Sequence, residues 1–544
     1  MQLLFSALLS MGITVMLVPL LMRYSDKLGV LDQPGVRKVH VTPVPRVGGI
    51  AMAAGMLVAM LVWGPDTALF SSYLVAFSLL LVFGFQDDRL TLSPSWKLIG
   101  QVLAALIVMY FGGIGISTLR HVDAYELPVW LSMPITLVFI VGVTNAINLA
   151  DGLDGLAGGT TLLCLSGLLL LSLTVGCAQV AFGCVVIVGA VLGFLRFNTH
   201  PARIFMGDAG SQLLGFSAAV FSLLLTQDRE LPFSAALPLL LLGVPVIDTL
   251  TVMTERILDG RSPFQADRIH VHHRLLAVGF DHHEAVIVIY AVQAALLAAA
   301  WFLRFASDFM IATVFSCIAI GIVTILRIAR RRHWRWRAAS GGRQKHSWLQ
   351  VQLDWLRQNR RLNRWAGYVI GGSIIGYAAV LVINGLAVPR DIRLLAVGSA
   401  LVVLVSAFLR RGDNLAGWLM RAALYVSALI AVSLDRGGAL SPKLKLYLEL
   451  TVFGCLVLAL IIRLYLSMDR RLRVTPLDVL VLLVAIALPN LSGSVISAYA
   501  AGWMVAKALL LLYGIENLAV SSGLQWHLLT GGTVLFLTAV AISS

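Results

Sequence analysis

Hydrophobic stretches long enough to cross a bilayer recur along the whole chain. A span of roughly 30 Å of hydrocarbon needs about 20 apolar residues. The pattern predicts eleven spans in the first part of the chain, at 3–22, 47–63, 68–85, 98–113, 129–148, 157–175, 178–195, 211–226, 233–254, 285–303 and 309–326. Seven more are predicted at 368–388, 394–409, 416–434, 446–466, 477–492, 497–514 and 524–541. The first window has no basic residue before Arg23 and no small-residue cleavage pattern, so it predicts an uncleaved span.

Composition agrees with this pattern. Of the 544 residues, 59% are hydrophobic and 12% are charged, with a mean hydropathy of +0.89. A soluble domain carries about 25% charged residues. A water-soluble enzyme and a disordered chain are therefore excluded, and the predicted fold class is an all-α polytopic integral membrane protein.

The distribution of Lys and Arg predicts the orientation of the first eleven spans. If the N-terminus lies outside, the opposite set of loops holds thirteen basic residues: Arg23, Lys27, Arg37, Lys38, Arg46, Arg89, Lys97, Arg196, Arg203, Arg256, Arg261, Arg268 and Arg274. The outer loops hold only Arg120, Arg229 and Arg304. Because cytoplasmic loops carry the excess of Lys and Arg, the first set is predicted to face the cytoplasm.

A basic segment separates the two halves. Residues 327–366 carry twelve Lys and Arg against Asp354 alone, a net +11 of the chain's +14, and Trp334, Trp336, Trp348 and Trp355 are interleaved with them. Such a segment suits an interfacial position on anionic lipid; a linker that only fixes topology is the alternative, and nucleic-acid binding is not expected. The predicted domains are thus 1–326, the linker 327–366, and a multi-span region 367–544 of unknown function. In the last, Arg421 and Lys507 fall inside apolar windows, where a cation is costly and either functional or snorkelling to an interface.

Acids and amides cluster on the predicted cytoplasmic side. Asp87 and Asp88 end an apolar span, which suggests a metal ion or proton transfer, or a solvated helix end. In NAINLADGLDGLAGG (145–159), four oxygen-bearing side chains recur every third residue on one helical face and suit magnesium and nucleotide hydroxyls: Asn145, Asn148, Asp151 and Asp154.

Three further loops lie on the same side. In FNTHPARIFMGDAGSQLLG (197–215), Asp208 lies just before an apolar span. This position is typical of a helix start that binds an anion; a helix start that is only capped is the alternative. The last loop concentrates Arg268, His270, His272 and His273, a mixture that suits phosphate better than zinc because no Cys accompanies it and the neighbouring arginines would repel a second cation. The loop at 35–49, with Lys38, could hold a phosphate. Acids for a divalent metal, basic loops for phosphates and a membrane setting together indicate phosphoryl transfer to or from a lipid. A transporter or flippase of lipid-linked sugars is the alternative.

Four motifs resemble those of the polyprenyl-phosphate N-acetylhexosamine-1-phosphate transferases. They are DDR at 87–89, NAINLADGLDGLAGG at 145–159, FNTHPARIFMGDAGS at 197–211 and GRSPFQADRIHVHHRLL at 260–276. The resemblance covers about residues 1–326. It implies transfer of a sugar 1-phosphate from a UDP-N-acetylhexosamine to undecaprenyl phosphate, releasing UMP, at the cytoplasmic face of a bacterial inner membrane.

The resemblance also implies residue roles and partners. Asp208 and Asn148, with Asp88, would hold Mg²⁺, with Mn²⁺ as a substitute; Asp87 or Asp88 would position or deprotonate the acceptor phosphate. Phe205 would stack on uracil, with Asn198, Asp151 and Asp154 around the nucleoside, and Asn145 would be a further substrate-binding residue. His270, His272 and His273 would contact the diphosphate or sugar, as would Arg268 and, more weakly, Lys38. The HVHH loop resembles the branch that uses UDP-GlcNAc to start cell-surface glycans, with another UDP-amino sugar as the alternative. Membrane lipids are further expected partners, nucleic acid is not, and a homodimer is left open.

Overall fold

A computed structural model describes residues 2–33, 43–120, 124–227, 231–262, 270–332, 360–385, 388–408, 414–435, 440–466, 496–520 and 524–542. Two compact units are present, Met1–Ala339 and Ser340–Ser544, and the division between them lies within the predicted linker. The helices of the first unit are α1 Gln2–Leu28, α2 Gly48–Trp63, α3 Ala68–Leu90, α4 Pro94–Tyr110, α5 Val129–Leu149, α6 Leu156–Thr174, α7 Ala178–Asn198, α8 Gly207–Thr226, α9 Leu237–Leu241, α10 Gly243–Leu258, α11 Val271–Val278, α12 His282–Leu303 and α13 Asp308–Arg331.

Strands in the described residues are limited to two short antiparallel pairs outside the helices. They are β1 Leu31–Asp32 with β2 Val44–Pro45, and β3 Thr118–Arg120 with β4 Ala124–Glu126. Ten described helices are long and apolar enough to cross a membrane. The predicted all-α polytopic fold is therefore confirmed.

Helix α8 forms the centre of the first unit. Its side chains are buried along almost the whole helix, although they include Ser211, Gln212 and Ser217. The Tyr73 hydroxyl of α3 lies 2.7 Å from Ser217 Oγ, which satisfies both buried groups. A Cβ at Gly84 of α3 would lie 2.4 Å from Cα of Ala209, so only glycine permits this close approach. The approach brings the polar end of α3 to the beginning of α8.

The predicted single span at 233–254 is wrong in one respect, because it consists of two helices, α9 and α10. The break falls at Leu242, next to Gly243 and Pro245, which both disfavour a continuous helix. Gln293 of α12 satisfies the interrupted backbone: its amide donates to the Leu241 carbonyl (2.9 Å) and accepts from the Val244 N–H (3.0 Å). Irregular backbone is tolerated at membrane depth where protein groups satisfy it in this way.

The second unit consists of six described helices, α14 Arg360–Ile383, α15 Arg390–Phe408, α16 Asn414–Ser433, α17 Pro442–Leu466, α18 Ile496–Val520 and α19 Leu524–Ile542. The predicted span at 477–492 lies outside the described residues. Lys507 is buried and does not snorkel: its ammonium pairs with Asp435 and lies 2.6 Å from Glu449 Oε2. Arg421 lies 3.6 Å from a carboxylate oxygen of Glu516. Both cations that the sequence placed in apolar windows are thus paired with acids of this unit.

Candidate active site

Helix ends from distant parts of the first unit meet at one end of its bundle. The C-terminal ends of α3, α5 and α7 bring Asp87, Asp88, Asn148 and Asn198 to the N-terminal ends of α4 and α8. Residues far apart in the chain therefore form one polar site.

Asp88 is bound to the first turn of α8. Its two carboxylate oxygens accept hydrogen bonds from the backbone N–H groups of Asp208 (2.8 Å) and Ala209 (3.1 Å). These N–H groups have no partner within their own helix, and the positive end of the helix dipole favours a carboxylate there. Asp88 is buried and occupies the helix start, where an anion was predicted.

Asp87 points to the opposite side, toward Lys97 of α4. The Lys97 ammonium lies 2.5 Å from Asp87 Oδ2 and 3.1 Å from Asp208 Oδ2, so one cation bridges two carboxylates. The other oxygen of Asp87 accepts from the Leu92 N–H at 2.8 Å. The sequence predicts Lys97 only as a cytoplasmic loop charge, because sequence spacing gives no sign that it reaches Asp208.

Asn148 completes this group from α5. Its amide nitrogen donates to Asp208 Oδ1 at 2.6 Å and to Ser211 Oγ at 2.7 Å. Asn145, one turn earlier, belongs to a second layer, in which its amide donates to Gln101 Oε1 at 2.5 Å and Gln101 donates to Gln212 at 3.3 Å. Asn145 therefore supports the wall of the site rather than its polar centre.

The turn between α5 and α6 carries Asp151 and Asp154, whose pKa values are shifted in opposite directions. Burial, then the charges of Asp208 and Asp154, raise the pKa of Asp151 to about 7. Burial would also raise the pKa of Asp154, but hydrogen bonds from His200 Nδ1 (2.7 Å) and the Ala202 N–H (3.0 Å) outweigh it and lower that pKa. Asp154 is therefore the ionised acid of the turn, and Asp151 titrates near neutrality.

Asn198 holds the neighbouring loop. Its side chain accepts from the Gly155 N–H (2.9 Å) and donates to the Ile204 carbonyl (2.8 Å), so both amide groups are used by backbone. This arrangement favours a positioning role over the predicted nucleoside contact. Phe205 lies at the end of the same loop, half-buried, with its N–H donating to the Pro45 carbonyl at 2.8 Å.

The histidine segment reaches the site through α11. Asp248 of α10, which sequence analysis did not single out, accepts from the Val271 N–H (2.8 Å) and lies 2.9 Å from His270 Nδ1. His272 is buried beside the acidic turn, and a Cβ at Gly152 would lie only 2.3 Å from its Nε2. Burial and the neighbouring His273 lower the pKa of His272 to about 3, so it is neutral at physiological pH. His273 packs against it, with ring centroids 4.2 Å apart.

A salt bridge fixes the other side of α11. Glu255 of α10 lies 2.5 Å from Arg274 Nη2 and 3.1 Å from Arg327 Nη2. Arg327, the first cation of the predicted linker, lies in α13 and thus pairs with the same acid of α10 as Arg274 of α11 does. Lys38 and Arg268 lie outside the described residues.

Fold and site together define an integral membrane enzyme with an acid, amide and cation site at one end of its helices. The model of glycosyl transferase family 4 matches residues 70–226, which include three of the four motifs. A probable undecaprenyl-phosphate N-acetylglucosaminyl 1-phosphate transferase of Bacillus subtilis is 37% identical over 52% of this chain and 79% of its own length. An undecaprenyl-phosphate alpha-N-acetylglucosaminyl 1-phosphate transferase of Yersinia pestis is 32% identical over 50% and 76%. A decaprenyl-phosphate N-acetylglucosaminephosphotransferase of Mycobacterium leprae is 34% identical over 57% and 86%.

The chain therefore belongs to the polyprenyl-phosphate N-acetylhexosamine-1-phosphate transferases, as the motifs predicted. It is an enzyme of the glycosyl-1-phosphate transferase type. The comparisons leave the roles of individual residues as predictions.

Proposed function

We propose that this enzyme transfers GlcNAc-1-phosphate from UDP-GlcNAc to undecaprenyl phosphate, with Mg²⁺, at the cytoplasmic face of a bacterial inner membrane. An oxygen of the lipid phosphate attacks the β-phosphorus of the donor, and the bond from that phosphorus to the bridging oxygen breaks. UMP leaves with the bridging oxygen, and the lipid diphosphate-sugar remains. The product would start a cell-surface glycan such as O-antigen, common antigen, teichoic acid or capsule.

The observation that carries this proposal is the bridging of Asp87 and Asp208 by Lys97 at the start of α8. Phosphoryl transfer depends mainly on positioning and on neutralising the charge of the transferring group. One cluster holds two carboxylates, an amide and a cation. These groups can both position the transferring phosphate and neutralise its charge. The names of the relatives support the donor sugar and the polyprenyl acceptor.

The donor set fits a magnesium ion. Asp87 and Asp208 offer hard oxygen atoms, which Mg²⁺ prefers, and the ammonium of Lys97 already lies between the two carboxylates. Asn148 donates from its amide nitrogen to Asp208, so it would have to turn its amide to offer an oxygen to the metal. A bound Mg²⁺ would neutralise the diphosphate of the donor. The geometry favours Asp87 over Asp88 as a ligand, because both oxygens of Asp88 already accept from the α8 backbone.

The remaining residues surround this centre. Asp87 faces the polar cluster and is the better placed of the pair to orient the acceptor phosphate. A phosphate monoester has its second pKa near 6, so the acceptor needs little help to ionise at neutral pH. His270, held by Asp248 through Nδ1, keeps its other ring nitrogen for the diphosphate or sugar. Asp151 and Phe205 would contact the nucleoside.

The test is transferase activity of the purified protein with undecaprenyl phosphate and a panel of UDP-sugars. We expect UMP release and a lipid diphosphate-sugar with UDP-GlcNAc, loss of activity with EDTA, and recovery with Mg²⁺. Asp208→Asn should abolish turnover, whereas Asp66→Asn, in the exposed loop before α3, should not change it. Turnover that resists EDTA would contradict the metal role, and faster turnover with another UDP-amino sugar would replace GlcNAc as the substrate.

A further inference from the structure

Three side chains next to the candidate active site form a second cluster, in which only Asp154 has a predicted role, beside the nucleoside. Asp154 from the α5–α6 turn, His200 from the loop after α7 and His282 from the start of α12 each offer one ligand atom, and these atoms lie within 4.8 Å of one another. The His200 and His282 rings stack with centroids 4.4 Å apart. Three separate segments of the chain therefore bring two imidazoles and a carboxylate to one point.

One nitrogen in this cluster has no partner. Nε2 of His282 is buried and makes no hydrogen bond to any residue that the structure describes. A buried nitrogen without a partner is costly, and a bound cation would satisfy it.

We propose that Asp154, His200 and His282 bind a divalent transition metal of the zinc class, separate from the Mg²⁺ proposed at Asp208. Two imidazoles and one carboxylate are a common zinc donor set, whereas Mg²⁺ takes oxygen ligands. Tetrahedral ligands about 2.0–2.2 Å from zinc lie roughly 3.3–3.6 Å from one another. The three ligand atoms now lie within 4.8 Å of one another, so they would have to move closer together to bind the metal.

The site has an open side. His200 is 40% exposed at its side chain and Asp154 is 18% exposed, so water could occupy the fourth position. The metal would tie the loop after α7 to the start of α12, next to the turn that carries Asp151. Asp154 would then shape this wall of the nucleoside pocket rather than contact the nucleoside itself.

A neighbouring acidic group is explained without a metal. Asp281, His283 and Glu284 also lie close together, but Asp281 and Glu284 form the capping box of α12, in which each carboxylate accepts from a backbone N–H. His283 is exposed. It provides a matched control, because it adjoins His282 and is not part of the proposed site.

The test is Co²⁺ binding to the full-length protein, purified without a polyhistidine tag and assayed in Mg²⁺ buffer without UDP-sugar. Visible absorption of tetrahedral Co²⁺ and its displacement by Zn²⁺ report the site directly. We expect one Co²⁺ per chain, and binding weakened by at least about tenfold in His200→Asn and in His282→Asn. Asparagine can replace the hydrogen bond of His200 Nδ1 to Asp154, so these variants should fold, and unchanged thermal unfolding without metal checks this.

Wild-type binding in His283→Asn, together with loss in the other two variants, supports the site. Absence of Co²⁺ binding in the wild type, equal binding in all variants, or loss in His283→Asn would overturn it. These outcomes are independent of transferase activity, so a failure here is distinguishable from a failure of the proposed reaction.

Discussion

The carboxylate of Asp88 accepts the backbone N–H of Asp208 at 2.8 Å, across 120 residues of sequence. The next N–H, that of Ala209, donates to the second oxygen of Asp88 at 3.1 Å. The first turn of α8, which carries Asp208, is thus held by the acid adjacent to Asp87. The two members of the pair therefore have different tasks: Asp88 positions Asp208, and Asp87 faces the polar cluster.

Asp88→Asn should separate these tasks. An asparagine presents an NH₂ group to one of the two N–H donors, so one hydrogen bond is lost and α8 shifts. A misplacement of about 1 Å can lower turnover on the order of 100-fold. We expect that loss in kcat with a smaller change in KM for UDP-GlcNAc, measured by UMP release. Asp66→Asn is the matched control, and an Asp88→Asn enzyme with full kcat would refute the positioning role.

Lys97→Gln tests the bridge between Asp87 and Asp208. Without the ammonium, the two carboxylates lose their cation and attract Mg²⁺ more strongly, because the metal no longer competes with a positive charge. We expect the Mg²⁺ concentration for half-maximal activity to fall, while kcat decreases roughly 10-fold or more as the charge on the transferring phosphates is less neutralised. Arg89→Gln, an exposed cation near the same end, is the control. A higher Mg²⁺ requirement in Lys97→Gln would indicate that Lys97 assists metal binding instead.

Gly152→Ala tests the contact between the acidic turn and the histidine segment. The new Cβ would lie 2.3 Å from His272 Nε2 and 2.5 Å from its Cε1, so the ring must move. A loss of activity on the order of 100-fold is expected if His272 needs its present position. Gly142→Ala is the control, because a Cβ there meets nothing within 4 Å.

A double variant shows whether the loss acts through His272. The activity of Gly152→Ala/His272→Ala should equal that of His272→Ala alone, since the clash then has no ring to displace. Additive losses in the double variant would mean that Gly152 serves the site in another way.

The sequence predicted the kinds of residue in this site, but not which contact each of them makes. The Asn and Asp residues at every third position of 145–159 predicted a polar face, because a helix brings such positions together. The same spacing could not show that Asn145 bonds to Gln101 whereas Asn148 bonds to Asp208. Lys97 and Asp248 were missed for a related reason: their importance depends on partners 111 and 22 residues away, at Asp208 and His270. Hydropathy likewise predicted a single span at 233–254 because Gly243 and Pro245 hardly alter a 20-residue average.

The pH dependence of stability should report Asp151. Its pKa is raised to about 7 in the folded protein, above the value near 3.9 of an unfolded chain. Between these values the folded state binds the extra proton, so stability falls as pH rises from about 4 to about 7 and then levels off. Thermal unfolding in Mg²⁺-free detergent should therefore show a Tm that decreases from pH 5 to pH 8, and Asp151→Asn should reduce that slope. An equal slope in the variant would assign the pH dependence to another group.

Gln293→Leu tests the break between α9 and α10. The leucine cannot accept from the Val244 N–H or donate to the Leu241 carbonyl, so two buried backbone groups lose their partner. Each unsatisfied group costs about 1–3 kcal/mol, which should lower the Tm of the purified protein. Because α10 carries Asp248, we also expect a reduced kcat through displacement of His270. Thr313→Val, which removes one hydrogen bond from an exposed side of α13, should leave both measurements unchanged. A Gln293→Leu enzyme with wild-type Tm would show that the break in the helix is stable without this side chain.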